Sequence, residues 1–417
     1  MCAPLRHADW RATPLLCLAA VIAGLFTNRA IASVPMIVLC GYVLLAAPLQ
    51  TFRMFLSDRV LIALTLVFFV YVGSAINSTS DKAFLLERLR IKLPFLALPV
   101  CYAYLKNRLH SRQVFVLLYF FVFLASFMSL RISLNLLLHQ DRMVQLYQMG
   151  QTIETPYHHT RYSLMVAFAF LAAIYLWQKN FVLWYRWERI AQLLAAAFLF
   201  VFLHLLAVRS GLLTTYLCLF YLLIRRLWHQ RNFTSAIVTL LGLILVPVAA
   251  YLMMPTLRAK VSYMRDDLNR ILAGEKAFNY SDAGRLASIA AGWQLFAENW
   301  LTGTGIGDLK TEMQQKLGND TEAARLNLPH NQFIFVAAGT GVFGLIIFIL
   351  AVFLPLLPAA SRQNWLFVCF NLILLTSFLF EATVEEQIGT AFYLVFLLLG
   401  HTFLNQKEYA RPGCLAA

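Results

Sequence analysis

The feature that most constrains this chain is a recurring unit: a long apolar run, then a short loop that is basic at every second return. A bilayer's hydrocarbon core is about 30 Å thick and takes roughly 20 helical residues to cross. Apolar runs of that kind lie near residues 13–27, 30–48, 60–76, 92–105, 113–130, 161–178, 190–207, 210–224, 235–254, 331–355, 365–380 and 388–404. They predict twelve spanning helices. In hydrocarbon every backbone N–H and C=O needs a partner within the protein, so the class expected is all-α and polytopic. The chain is 60% hydrophobic and 13% charged, where a soluble domain carries about a quarter charged residues. More spans follow the first run and no cleavage-type site does, so that run is expected to be a retained helix.

The apolar stretch from 190 to 224 is 35 residues long. As one helix it would reach about 52 Å, too far for a single crossing. "AVRSGLL" (207–213) places a charge and a glycine at its middle, which predicts a tight hairpin with Arg209 at the tip. The charges test this topology. With the N-terminus cytoplasmic, the cytoplasmic segments hold sixteen bases, from Arg6 to Arg411, against four acids, Asp9, Asp58, Glu188 and Glu408. That excess follows the positive-inside rule at each short loop. It also explains most of the net charge of +14 as topology and not as nucleic-acid binding. Both termini are therefore expected on the cytoplasmic side. None of the seven cysteines falls in the long polar loop or shows metal-ligand spacing, so no disulfide framework is implied.

The organisation expected is helices one to nine over 1–254, an outer helical domain over 255–330, and helices ten to twelve with a tail over 331–417. Residues 77–92 read as a short amphipathic helix leading into the fourth span, and 131–160 as a medium outer loop. Within 255–330, "SDAGRLASIAAGWQLFAENW" starts with Ser281 or Asp282 as a natural N-cap. Leu286, Ile289, Ala290, Trp293, Phe296 and Trp300 recur at helical spacing, an apolar face for the membrane or for neighbouring helices. "TGTGIGD" (302–308) reads as a turn. It is not a dinucleotide fingerprint, since no strand precedes it.

The outer arginines run against the positive-inside tendency. Arg161 and Arg209 sit at span ends, Arg88 and Arg90 flank the fourth span, and Arg265, Arg270 and Arg285 lie in the large loop. Snorkelling to lipid phosphates explains any one of them. Converging on one face, the group points to an anionic ligand, because the guanidinium fork donates paired hydrogen bonds and stays charged. On the same face, "LPHNQFIFVAAGTGVFG" (328–344) opens the tenth span. Pro329 fixes its start, Asn331 is placed to cap the first turn, and His330 can accept a proton at neutral pH. A base beside an arginine cluster suggests group transfer from a phosphate-activated donor. Weaker signals are Asp266 and Asp267 as a metal pair, read rather as a salt-bridged loop; His158 and His159 as a zinc pair; and Ser210 without a nucleophile elbow. Glu381, Glu385 and Glu386, on an outer loop, could orient a cation or a sugar hydroxyl, with solvated acids as the default reading.

"TRYSLMVAF" (160–168), "AVRSGLL", "GRLASIAAGWQLFAENWLTGTGIGDL" (284–309) and "LPHNQFIFVAAGTG" (328–341), in this order and at these topological positions, resemble the bacterial O-antigen ligase family of the O-antigen ligase and polymerase superfamily. The resemblance spans nearly the whole chain. It implies a GT-C-like membrane glycosyltransferase at the periplasmic face of the bacterial inner membrane. Such an enzyme moves O-antigen polysaccharide from undecaprenyl diphosphate to a sugar hydroxyl of lipid A–core, with no nucleotide or metal cofactor. A direct displacement would invert the anomeric carbon, and no carboxylate pair is available for a retaining double displacement. The family's HN-motif histidine falls on His330. Its arginines best match Arg161, Arg209 and either Arg265 or Arg285. The expected catalytic residues are His330, Arg265 and Arg209. The expected substrate contacts are Arg161, Arg285, Asn331, Arg88 and Arg90. The rivals are an O-antigen polymerase or a protein O-oligosaccharyltransferase of the same superfamily, and, from another class, a lipid-linked sugar flippase.

Overall fold

The computed structural model describes residues 9–106, 108–139, 154–230, 233–273, 281–318 and 328–401. The described residues contain helices and no strands. In chain order they are α1 (Asp9–Gly24), α2 (Arg29–Ala46), α3 (Leu49–Ser57), α4 (Arg59–Gly73), α5 (Lys82–Leu105), α6 (Ser111–Leu138), α7 (His159–Gln178), α8 (Glu188–Leu206) and α9 (Arg209–Gln230). There follow α10 (Phe233–Met253), α11 (Pro255–Leu272), α12 (Ser281–Glu298), α13 (Leu309–Leu317), α14 (Gln332–Phe353), α15 (Ala359–Gln363), α16 (Trp365–Phe380) and α17 (Gln387–Leu399). Seven of these helices are long and apolar enough to cross a membrane, or eight if a bent pair counts as one span. Large apolar side chains such as Leu45, Ile37 and Phe343 stay exposed on the bundle, as expected where lipid is the solvent. This is a polytopic membrane protein.

Hydrogen bonds between helix ends show the alternation directly. At one end, His401 after α17 meets Asp58 before α4 at 3.1 Å, and Arg225 of α9 donates to the Gln363 carbonyl at 2.8 Å. Asn364 before α16 donates to the Tyr175 hydroxyl near the end of α7, and Arg112 of α6 to the Leu183 carbonyl. This basic end collects loops read above as cytoplasmic. At the other end, Gly211 of α9 packs against Ser163 of α7, whose Cβ lies 2.6 Å from where a Gly211 Cβ would sit. The chain therefore reverses between α8 and α9, at Ala207 in the left-handed region (φ 50°), as the hairpin reading requires.

The centre of the bundle is α7, buried along almost its whole length. Around it, rings from α6, α7, α16 and α17 form an aromatic core, with Phe121 to Phe396 centroids at 4.6 Å and Phe168 to Phe370 at 4.8 Å. Because lipid is as apolar as these side chains, close packing holds such helices together more than the hydrophobic effect does.

Several expected elements differ. The amphipathic stretch and the fourth span are one continuous helix, α5, 24 residues long. The stretch read as a loop after residue 130 begins as helix, since α6 runs on to Leu138. Residues 140–153, Lys407 and Arg411 lie outside the described residues. Asp266 and Asp267 are on a helix, α11, not on a salt-bridged loop; α11 turns off α10 by 97° at Pro255. The helix expected from Ser281 is present as α12, and its capping position lies outside the described residues. Its packing is the reverse of a soluble helix. Leu286, Trp293 and Trp300 are exposed, while the small face of Gly284, Ser288, Ala291 and Gly292 is buried, with Gly292 against Pro329 and Ile334.

The "TGTGIGD" turn does more than stop α12. Gly341 breaks α14 with φ 69° and ψ −169°, which frees carbonyls in the middle of the helix. The turn meets them: the Thr304 N–H donates to the Ala338 carbonyl at 2.9 Å and the Gly305 N–H to that of Gly339 at 3.1 Å. The Val342 N–H donates back to the Trp300 carbonyl at 2.8 Å. Asp308 then accepts from the Thr79 and Ser80 N–H groups and ties the turn to the loop before α5. Backbone breaks at membrane depth survive only when they are satisfied in this way.

Gly303 has φ 71°, and a Cβ there would lie 2.5 Å from the Thr340 nitrogen. Gly303→Ala is expected to lower the unfolding temperature in detergent, with backbone strain alone costing about 1–3 kcal/mol. Gly318, also at positive φ but with no atom of the described residues within 4 Å of such a Cβ, is the control. Its alanine variant should be the milder of the two in the same melt.

Candidate active site

The loop between α16 and α17 is six residues long, 381–386, and carries three glutamates. Two of them are buried: Glu381 at 7% exposure and Glu385 at 2%. A carboxylate out of water must be paired and hydrogen-bonded, and the neighbouring helices supply the partners. Glu385 Oε1 accepts from Lys92 Nζ of α5 at 2.7 Å, from the Tyr71 hydroxyl of α4 at 2.6 Å and from Gln332 Nε2 of α14 at 2.7 Å. Lys92 Nζ also donates to the Val384 carbonyl, and the Val384 N–H donates to Gln332 Oε1 at 3.0 Å. Arg88 NH1 donates to the Glu385 carbonyl at 2.5 Å. One loop thereby locks three helices at the end opposite the basic one.

Glu381 lies one turn away and joins the two residue types singled out in the sequence. Arg161, 5% exposed in the first turn of α7, places NH2 3.5 Å from Glu381 Oε1 and NH1 2.9 Å from Glu386 Oε2. Nδ1 of His330 stands 3.8 Å from Glu381 Oε2, an ion-pair separation longer than a hydrogen bond. Burial alone would raise the Glu381 carboxyl, but His330, Arg161 and His158 outweigh it and hold it at about 2. His158 is pushed below its usual range, first by burial, then by Arg161 and Arg285, against the pull of Glu381 and Glu386. Arg285 of α12 thus belongs to the same field. His330 is half-buried, its backbone N–H donating to Ser288 Oγ of α12 at 3.2 Å.

Asn331 caps α14 as expected, accepting from the Ile334 N–H at 3.0 Å, and its amide donates to the Leu379 carbonyl beside Glu381. Arg209 is half-buried at the start of α9, whose first turn packs on that of α7. Arg88 serves the Glu385 node, whereas Arg90 is exposed. Arg265 is exposed on α11, and among the described residues no hydrogen bond or ion pair joins it to Glu381 or His330. Side-chain placement of Arg270 and Asp267 lies outside the described residues. His158 and His159 stack at 4.5 Å. Glu381 and Glu385 correct the reading of solvated acids. Lys92, Gln332 and Tyr71 were not singled out in the sequence. The one local signal was a lysine placed where apolar sequence had already begun.

Residues 193–349 match the family model described as O-antigen ligase. No curated protein matches the chain. The matched segment holds Arg209, Arg265, Arg285 and His330; Arg161, Lys92, Glu381 and Glu385 lie outside it.

Lys92→Met leaves Glu385 buried without its cation and should destabilise the fold by about 3–5 kcal/mol. Adding Glu385→Gln should restore much of that, as read by thermal unfolding. For Glu381, the folded carboxyl at about 2 lies below its ordinary 4.5. The stability it confers is therefore complete above about pH 4.5 and drains away as pH falls toward 2. In melts from pH 6 down to 3, Glu381→Gln should show a shallower acid loss than wild type.

Proposed function

We propose that this chain acts as an O-antigen ligase, the family whose model it matches over residues 193–349, and transfers O-antigen polysaccharide from undecaprenyl diphosphate to a sugar hydroxyl of lipid A–core. The site is the His330 end of the bundle, on the periplasmic face of the inner membrane, with both termini cytoplasmic. One observation carries the reading: the buried Glu381 carboxylate reaches both Arg161 and His330 at the end of the bundle away from the basic loops.

The chemistry follows from the groups present. With Nδ1 turned toward Glu381, the His330 Nε2 is the nitrogen left to take a proton. It removes the proton of the acceptor hydroxyl as that oxygen attacks the anomeric carbon. The new glycosidic C–O bond forms while the C–O bond to the diphosphate breaks, and the configuration inverts. The leaving undecaprenyl diphosphate departs with its negative charge, which fixed cations stabilise most when they are already in place. Arg209, half-buried at the start of α9, and Arg285 of α12 are the candidates for that role. Arg161 is already held by two glutamates, so its first task is to hold Glu381 in position, and diphosphate would have to displace Glu386 to reach it. Arg265 and Arg90, exposed at this end, are proposed as outer contacts for the donor. Glu381 acts through His330 and is a positioning residue.

A polymerase would use the same donor chemistry with a second lipid-linked glycan as acceptor. A flippase would distribute charge along the path across several spans. The buried ion pairs Arg161–Glu381 and Lys92–Glu385 instead collect around one loop at one end.

In purified full-length protein with both lipids, His330→Ala should lower turnover by about 10²–10⁴-fold. Wild-type turnover in that variant would remove the base assignment. Glu381→Gln should lower kcat roughly ten- to hundredfold, short of the ~10⁴ seen for the triad carboxylate of serine proteases, with KM for both lipids little changed. Arg209→Ala and Arg285→Ala should raise KM for the donor more than for the acceptor. Product growing on undecaprenyl diphosphate, and none on lipid A–core, would favour the polymerase.

A further inference from the structure

At the basic end, away from His330, a cavity of about 1100 Å³ opens between α3, the start of α4, the end of α5 and the turn after α14. Arg53, Arg59, Lys106, Asp58 and His401 line it, with the neutral polar side chains of Gln50 and Ser57 beside them. Asp58 is already engaged, by His401 at 3.1 Å and by Lys106 at 3.8 Å. Among the described residues no carboxylate pairs with Arg53 or Arg59, and both are exposed. The other wall, in the turn after α14, is apolar and includes Leu354 and Leu357.

The helix that forms one wall explains where the cavity sits. In α3, Leu49, Phe52 and Leu56 are exposed at 74%, 42% and 66%, and their spacing puts them on one helical face. A short helix with an apolar outer face and an arginine beside it lies along a membrane interface. It follows α2 after two residues, so the cavity stands at headgroup depth. Charge at this end is expected for topology alone. What topology does not require is two guanidinium groups facing an open cavity with an apolar wall leading to lipid.

We infer that this cavity binds the phosphate headgroup of an anionic membrane phospholipid, with Arg53 and Arg59 on the phosphate and the acyl chains along the apolar wall. Guanidinium suits phosphate because its paired donors match two phosphate oxygens, and basic pockets between membrane helices on the cytoplasmic side hold acidic lipids for this reason. The apolar wall favours a lipid over free phosphate. The site is independent of the proposed transfer reaction.

The test uses delipidated full-length protein in detergent, with bound lipid counted by native mass spectrometry. Phosphatidylglycerol should be retained roughly tenfold over phosphatidylcholine, and inorganic phosphate should not compete at equal concentration. Arg53→Gln/Arg59→Gln should abolish the preference, and Arg53→Lys/Arg59→Lys should keep most of it. Lys179→Gln/Arg362→Gln, which removes the same charge from the same end, should leave it intact. Equal retention of both lipids would overturn the proposal, as would equal loss in the two glutamine pairs or displacement by free phosphate. Unfolding temperatures of the lipid-free variants separate a lost site from a lost fold.

Discussion

Two carboxylates on a six-residue loop set the geometry of one end of this protein. Neither can stay ionised out of water without cations, and the cations come from helices far away in sequence: Lys92 for Glu385 and Arg161 for Glu381. The same loop takes an amide from Gln332, one residue past Asn331 at the start of α14. Replacing such an arrangement with apolar residues is often neutral for stability, while breaking half of it is severe. The arrangement here fixes the start of α14, and so His330, against α5, α7 and α16.

A second constraint acts at the middle of α14. A helix broken by Gly341 in a membrane protein needs outside partners for its freed backbone groups. The glycine turn after α12 supplies them, and the helix before that turn packs its small-residue face beneath Pro329. The segment is thus fastened to the bundle at the break in α14, at the loop before α5 through Asp308, and at Ser288 beneath His330. Arg285 comes with it. The proposed donor cations and the proposed base are therefore carried on elements held rigid by backbone hydrogen bonds, not on a loose loop.

Much of this was legible in the sequence, and the rest was hidden for identifiable reasons. Apolar periodicity and loop charge marked the helices, and the 35-residue stretch resolved correctly at Arg209 because a single helix would have been too long. His330 and the Asn331 cap were readable because capping is local. The burial of Glu381 and Glu385 was not, since their cations lie hundreds of residues away and nothing in "EATVEEQ" distinguishes a paired acid from a solvated one. The reading of α11 as loop failed because its polar residues mask a helix that leaves the bundle at a sharp bend. The apolar face of α12 was identified, but sequence cannot say whether lipid or protein covers it; the structure leaves it outward. Lys92 was overlooked because it looked like the edge of a span.

In the proposed transfer the anionic group of the donor sits between His330 and the arginines of α9 and α12. The most direct measurement is a cryo-electron microscopy structure of the full chain with an undecaprenyl-diphosphate-linked glycan bound. The diphosphate should lie within hydrogen-bonding distance of Arg209 or Arg285, with the anomeric carbon facing His330. Diphosphate bound at the basic end, or on the far side of α11 from His330, would contradict it.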